Sequence, residues 1–148
     1  MNKEQTLESV KKAREAHLLQ MDKINAIINE EKVDNPTAVS KKECDFGRWI
    51  YDENSNVKQL IGSQFYEKLD NKHEQWHTEY FKIYSIFFNP KKKKGFLSKV
   101  LGSSGVDPLE KDKAKLYYTE LKQTTEELLK ALASAERRLE ALPESKFK

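Results

Sequence analysis

Apolar residues recur along most of the chain at alternating spacings of three and four positions, which places them on one face of an α-helix. Proline is tolerated in the first turn of a helix and stops a helix elsewhere. The four prolines lie at the edges of the periodic segments: Pro36, Pro90, Pro108 and Pro143. The pattern predicts helices over residues 3–31, 36–52, 58–88 and 108–142. The strict alternation of apolar and polar positions that is typical of strands is absent from the sequence.

Four helices joined mostly by short turns predict an all-α fold, an antiparallel up-and-down four-helix bundle. The length of 148 residues favours a single domain over residues 1–148. The last helix has the clearest start signal, because Asp107 can cap it, Pro108 occupies its first position and Glu110 completes a capping box. The narrow apolar seams also suit pairing with a second copy of the chain.

The connection over residues 89–107 contains three of the five glycines and a run of four lysines, Lys91, Lys92, Lys93 and Lys94. Lysines interleaved with apolar residues can form a patch for anionic lipid or for an acidic protein surface. The simpler interpretation is a solvated insertion at the end of the bundle. Nucleic acid is not an expected partner, because the lysines are clustered in one loop and arginines are few.

Composition and charge exclude several classes of protein. Charged residues make up 34% and apolar residues 37%, which is normal for a helical bundle with solvated outer faces, and the net charge of +3 is mild. The single cysteine excludes an intramolecular disulfide. The amino end begins with charged residues and shows no signal peptide, and the longest apolar run, near residues 83–88, is too short to span a membrane. A cytoplasmic protein is expected.

Two histidines, His73 and His77, stand four residues apart within a predicted helix. That spacing places both rings on one face, one turn apart, where they can bind one metal ion. The stretch also fits H-E-x-x-H, the pattern of zinc metalloproteases, in which Glu74 would be the general base. Two opposed interpretations follow: a catalytic zinc with a bound water, or a closed zinc with none.

The chain contains only two other soft metal ligands, His17 and Cys44, and three histidines with one cysteine suffice for one tetrahedral zinc. His17 occupies a seam position that should be apolar, where the alternative is a buried, hydrogen-bonded histidine. Cys44 shares a face of small residues with Gly47, which would let another backbone or a metal site approach closely. The alternative for a lone cysteine is a small buried hydrophobe.

A zinc ion with four protein ligands has no open position, so it holds structure or senses but does not activate water. A metalloprotease would need a third ligand besides the helix pair, and no histidine follows His77. Glu74 points about 100° away from His73 round the helix. We therefore expect Glu74 to be a surface carboxylate, and we predict neither catalytic residues nor enzymatic activity.

The order of these residues resembles that of the chemoreceptor zinc-binding (CZB) domain family. The chain has a histidine in a long first helix, a Cys-Asp-Phe-Gly-Arg-Trp block at 44–49 and a later His-x-x-x-His. The resemblance is close over roughly residues 5–88 and general over the last helix. It implies a four-helix fold that binds Zn²⁺, commonly as a homodimer, in a cytoplasmic sensory module. The implied ligands are three histidines and one cysteine: His17, Cys44, His73 and His77.

The resemblance also implies a response to zinc itself or to oxidants through Cys44. Members of the family are usually attached to chemoreceptor signalling domains or to a diguanylate cyclase. This chain is too short for a chemoreceptor hairpin, and it lacks a Gly-Gly-[Asp/Glu]-Glu-Phe block. The expected partner is therefore a signalling protein acting in trans or a fused domain outside this sequence. The alternative function is a helical protein-interaction module with a purely structural zinc.

Overall fold

The computed structural model describes residues 1–33, 36–88 and 106–147, and within these residues the chain is all-helical. The α-helices are α1 (Lys3–Ile28), α2 (Asp45–Ile50), α3 (Val57–Ile61), α4 (Ser63–Phe88) and α5 (Pro108–Ala141), with short 3-10 helices at Glu53–Ser55 and Glu144–Lys146. The predicted all-α class is confirmed. The predicted lysine patch, Lys91 to Lys94, lies outside the described residues. No helix in the described ranges is both long enough and apolar enough to cross a membrane.

Two of the three long helices, α1 and α5, begin at side-chain caps that are visible in the sequence. Asn2 Oδ1 accepts a hydrogen bond from the Gln5 amide at 2.8 Å, and Gln5 Oε1 accepts one from the Asn2 amide, which completes a capping box for α1. The carboxylate of Asp107 accepts from the Glu110 amide at 2.9 Å, with proline in the first turn, as predicted for α5. These contacts satisfy amides that have no partner inside the helix.

The second predicted helix, over residues 36–52, is wrong in extent. Residues 36–44, which we call the connecting segment, form bends and turns, and α2 covers only six residues. The third predicted helix is interrupted at Gly62, whose φ of +89° separates α3 from α4. Glycine adopts this φ without steric cost, whereas other residues rarely do. Three long helices and two short ones therefore replace the four helices predicted.

The connecting segment is not helical because its backbone groups are used elsewhere. The Tyr80 hydroxyl of α4 donates a hydrogen bond to the Thr37 carbonyl, and His77 Nδ1 binds the Val39 carbonyl, both at 2.9 Å. Thr37 and Val39 are also β-branched and favour helix weakly. Long-range partners thus satisfy carbonyls that a helix would pair internally, so the segment follows α4 instead.

α2 begins where the connecting segment turns back against it. Cys44 is the N-cap residue, and its Sγ accepts a hydrogen bond from the Gly47 amide at 3.3 Å. A Cβ built on Gly47 would lie 1.6 Å from the Lys41 carbonyl oxygen, so only glycine allows the two backbones to meet. The close backbone approach predicted at Gly47 is confirmed.

α5 packs along both α1 and α4. The indole of Trp76 on α4 is fully buried and donates a hydrogen bond to Thr125 Oγ1 on α5 at 2.8 Å. Arg14 on α1 forms an ion pair with Glu136 on α5 at 3.0 Å. The largest fully buried apolar side chains form one core between these helices and α3: Trp76, Tyr80, Ile24, Ile61, Leu69, Ile83, Leu121, Leu128, Leu132 and Leu139. Burying each such side chain stabilises the fold by about 1.5–3 kcal/mol.

Candidate metal centre

Three histidines from two long helices meet at one point of this core. His17 lies on α1, and His73 and His77 lie one turn apart on α4. Each offers one ligand atom that lies within 4.8 Å of the other two, and all three side chains are buried. The structure therefore brings together the three histidines that the sequence singled out.

Cys44 joins this cluster from the start of α2. Its Sγ lies 3.3 Å from His73 Nε2. Burial raises the pKa of the Cys44 thiol above its ordinary value, while the Gly47 amide acts in the opposite direction. The thiol therefore stays protonated unless a cation is nearby, and a metal ion would deprotonate it on binding.

The ring orientations of His17 and His77 are set by backbone carbonyls. His17 Nδ1 lies 2.9 Å from the Ala13 carbonyl oxygen, and His77 Nδ1 lies 2.9 Å from that of Val39. A carbonyl can only accept, so in both rings Nδ1 carries the proton. In these neutral rings Nε2 is then unprotonated and carries a lone pair. The Nε2 atom of His77 lies 3.1 Å from that of His73.

The histidines are also held in the neutral state that metal binding requires. Burial lowers the pKa of His77 to about 4, and of His73 to about 2, where the neighbouring histidines add to the effect. Burial likewise lowers the pKa of His17. All three rings are therefore neutral ligands near pH 7.

Two separations between donor atoms at His73 are close to those of a tetrahedral zinc. Bonds of about 2.0–2.1 Å to nitrogen place two histidine ligands about 3.3–3.4 Å apart, and a thiolate about 3.6 Å from a histidine nitrogen. The observed separations are 3.1 Å between the two Nε2 atoms of His73 and His77 and 3.3 Å from Cys44 Sγ to His73 Nε2. Three neutral imidazoles and one thiol are also the donor types that zinc prefers.

Aromatic rings pack against the histidines of the cluster. The Phe46 ring centroid lies 4.5 Å from that of His73, and the Trp76 ring centroid lies 5.0 Å from that of His17. A cleft of about 340 Å³ also reaches the cluster, and its walls include His17, Cys44 and His77 as well as both aromatic residues. The cleft gives small molecules access to the centre.

Glu74, the would-be base of the protease pattern, lies away from the cluster. Its side chain is 60% exposed, and its carboxylate lies 3.8 Å from Lys41 Nζ. The prediction that Glu74 is a surface carboxylate is confirmed. The two histidines of the H-E-x-x-H stretch thus share a centre to which the glutamate does not contribute.

Sequence reasoning missed two residues next to the cluster, Tyr51 and Asp70. The Tyr51 hydroxyl lies 3.2 Å from His73 Nδ1 and 2.5 Å from Asp70 Oδ1. Burial and the contact with Asp70 raise the pKa of Tyr51 far above its ordinary value, so the hydroxyl stays protonated. One signal was available, since Asp70 stands three residues before His73 and so shares its helix face.

The described residues are thus all-helical and gather three histidine ligand atoms with a cysteine sulfur beside one of them, an arrangement that could hold a metal ion. Residues 17–84 match the family model of the chemoreceptor zinc-binding domain. The match confirms the resemblance inferred from the sequence, and it spans all four residues of the cluster. No curated protein and no solved structure compared with the chain gives a match.

Proposed function

We propose that the chain is a cytoplasmic zinc-binding sensory module that holds one Zn²⁺ through His17, Cys44, His73 and His77. The observation that carries the proposal is the convergence of three histidine ligand atoms, with the Cys44 sulfur beside one of them. Three histidine ligand atoms lie within 4.8 Å of one another, and Cys44 Sγ lies 3.3 Å from one of them. Zinc, when bound, supplies a four-coordinate cross-link and keeps the cysteine as a thiolate.

The four residues come from three elements, so a bound zinc would cross-link α1, α2 and α4. His17 belongs to α1, Cys44 caps α2, and the histidine pair belongs to α4. His77 also holds the connecting segment through the Val39 carbonyl. We further propose that residues 36–61 take the place of the second helix in an antiparallel four-helix bundle. Loss of the cysteine ligand would then free the element with the least internal structure.

Cys44 is the ligand whose chemistry can change. An oxidant such as hypochlorous acid takes two electrons from the thiolate sulfur, which gains an OH group to become a sulfenic acid while chloride leaves. The cleft at the cluster gives a small oxidant a route to this sulfur. A sulfenic acid is a poorer ligand than a thiolate, so oxidation would weaken zinc binding and release α2. A change in zinc level would act on the same element by adding or removing all four contacts.

Metal analysis of the purified chain tests zinc binding, and Cys44→Ser tests the ligand set. The expected result is one zinc per chain, bound more weakly by the serine variant. Glu74→Gln is the matched control, because it alters the same H-E-x-x-H stretch without touching the cluster and should retain zinc. A chain that binds no zinc, or equal affinity in the Cys44→Ser variant, would contradict the proposal.

Oxidant titration separates a sensor from a structural zinc. If Cys44 is a redox ligand, substoichiometric to equimolar oxidant should release zinc while the helical signal in circular dichroism persists. Zinc that is retained until the protein unfolds would exclude redox sensing. It would favour the second candidate, a helical interaction module in which zinc only stabilises the fold.

Exposed apolar side chains on α1 favour the helical interaction module, and they also favour a homodimer. Leu18 and Leu19 are 48% and 54% exposed. A second copy of the chain, or a signalling protein acting in trans, would cover such side chains. Sedimentation of the chain and of a Leu18→Ser, Leu19→Ser variant tests this, and a monomeric wild type would exclude the homodimer.

A further inference from the structure

Both ends of the short helix α2 reach the same histidine ring. At its start, Cys44 Sγ lies 3.3 Å from Nε2 of His73. At its end, the hydroxyl of the C-cap residue Tyr51 lies 3.2 Å from Nδ1 of the same ring. α2 therefore brackets His73, with the thiol on one ring nitrogen and the phenol on the other.

Asp70 determines the direction of the hydrogen bond between Tyr51 and His73. A phenol has one proton, and a carboxylate can only accept. The Tyr51 hydroxyl donates to Asp70 Oδ1 at 2.5 Å, so its oxygen accepts from Nδ1 of His73. The proton of the neutral His73 ring is thereby held on Nδ1, and Nε2 presents a lone pair to the cluster.

Lys41 holds in place the carboxylate of Asp70, which is the final acceptor in this series of hydrogen bonds. Its Nζ lies 3.0 Å from the same Oδ1 of Asp70 and 5.1 Å from the centroid of the Tyr51 ring. The ammonium therefore stabilises the negative charge that receives the phenol proton. The carbonyl of Lys41 is also the backbone group that lies against Gly47, so the turn that carries the lysine is itself fixed.

His73 differs from the other two histidines in the kind of group that orients it. His17 and His77 place Nδ1 on backbone carbonyls, which no substitution removes. His73 instead depends on two side chains. A hydrogen-bond partner behind a metal-binding histidine fixes its tautomer and ring orientation, and such partners affect metal affinity strongly.

We propose that Tyr51 and Asp70 are positioning residues that hold His73 as the Nδ1–H tautomer, so that its Nε2 lone pair faces the metal centre. The tautomer part is tested in the metal-free protein. There the unprotonated His77 Nε2 lies 3.1 Å from His73 Nε2 and favours the opposite tautomer, so the hydrogen bonds through Tyr51 and Asp70 must outweigh this contact. The effect on zinc affinity rests on the proposed zinc-binding function. The same hydrogen bonds attach the C-terminal end of α2 to α4 independently of Cys44.

The test compares Tyr51→Phe with Tyr66→Phe in the full chain. Tyr66 is the matched control, because its hydroxyl donates to the Ile50 carbonyl at 3.5 Å and touches none of the four cluster residues. Nitrogen-15 NMR of the metal-free histidine rings reports the tautomers. Wild type and Tyr66→Phe should show His73 with the proton on Nδ1, whereas Tyr51→Phe should shift it toward the Nε2–H form. His17 and His77 should each keep the proton on Nδ1, which reports an intact fold.

Zinc affinity, measured by competition with a chelator, is the second readout. Tyr51→Phe should weaken Zn²⁺ binding about ten- to hundredfold, and Tyr66→Phe should leave it unchanged. Asp70→Ala should also move the His73 proton to Nε2, because the phenol proton is then free to point at Nδ1. Adding Asp70→Ala to Tyr51→Phe should cost no further affinity, since the two side chains act through one hydrogen-bonded chain.

The outcomes separate the two proposals. An unchanged His73 tautomer in Tyr51→Phe would overturn the positioning role, even if zinc affinity fell, because that loss would then be structural. Equal zinc affinity in the two phenylalanine variants would overturn it as well. A wild-type chain that binds no zinc would overturn the proposed function, while the tautomers would still decide the roles of Tyr51 and Asp70.

Discussion

Gly47→Ala is expected to displace Cys44 from the metal centre. Gly47 is a buried residue of α2, and the turn that carries Lys41 crosses directly over it. The added Cβ would lie 1.6 Å from the Lys41 carbonyl oxygen and 2.7 Å from its carbonyl carbon. Both are backbone atoms, so no side-chain rotation relieves the contact.

The size of the displacement follows from these distances. To reach an ordinary contact of 3.4 Å, the Lys41 carbonyl must retreat by about 1.8 Å. Cys44 lies three residues from both Lys41 and Gly47, and its Sγ contacts both backbones. Metal bonds tolerate changes of only about 0.2 Å, so a shift of this size removes the cysteine from the cluster. The overpacking itself should cost about 1–3 kcal/mol of stability.

The assay compares Gly47→Ala with Gly62→Ala by urea unfolding of the metal-free chains and by zinc competition. Gly62 has a φ of +89° and no tight contact, since its nearest neighbour, the Arg138 guanidinium, would lie 3.8 Å from the new Cβ. Its alanine variant should lose about 1–3 kcal/mol through backbone strain alone and keep its zinc affinity. Wild-type zinc affinity in Gly47→Ala would refute the reasoning, because it would mean that the turn can move without Cys44.

Three further predictions follow from the cluster and its surroundings. If zinc is present at a thousandfold excess over its Kd, its removal should lower the free energy of unfolding by about 4 kcal/mol and Tm by roughly 8–16 °C. An unchanged calorimetric Tm after verified removal of zinc would contradict the cross-link. Because burial lowers the pKa of His77 to about 4 and of His73 to about 2, below the unfolded value near 6.5, the metal-free chain should lose stability as pH falls from 6.5 toward 4. Urea midpoints measured across that pH range should fall less in His77→Gln than in the wild type. An equal fall in the two proteins would contradict the role of His77 in this pH dependence. Thr125→Val should cost about 1–3 kcal/mol by leaving the buried Trp76 N–H without an acceptor, whereas Thr124→Val, which lacks that contact, should cost less in the same urea assay.

The long helices were predictable because their signals are local. The apolar spacing of α4 and α5 and the cap formed by Asp107, Pro108 and Glu110 require no knowledge of the rest of the fold. The candidate metal ligands were predictable for a different reason. The chain's complete set of histidines and cysteines is His17, Cys44, His73 and His77. Their number, together with the resemblance to the chemoreceptor zinc-binding domain family, suggested one shared centre.

The extent of the second helix could not be predicted correctly, because the conformation of residues 36–44 depends on hydrogen-bond partners far away in the sequence. Thr37 and Val39 belong to a segment with enough apolar periodicity to suggest a helix. Their carbonyls instead bind Tyr80 and His77, about 40 residues later. A hydrogen bond from another element competes with local propensity, and no window of neighbouring residues contains that information.

The sequence alone thus determined the helical class and the four candidate ligands, because periodicity and residue chemistry are properties of the chain itself. The tertiary structure decided which ring nitrogen of each histidine faces the cluster and which groups hold it there. The chain order does not show that Tyr51 and Asp70 stand behind His73, since the hydrogen bond forms only when α2 packs against α4. The candidate ligands can therefore be read from the sequence, whereas the orientation of their rings depends on packing.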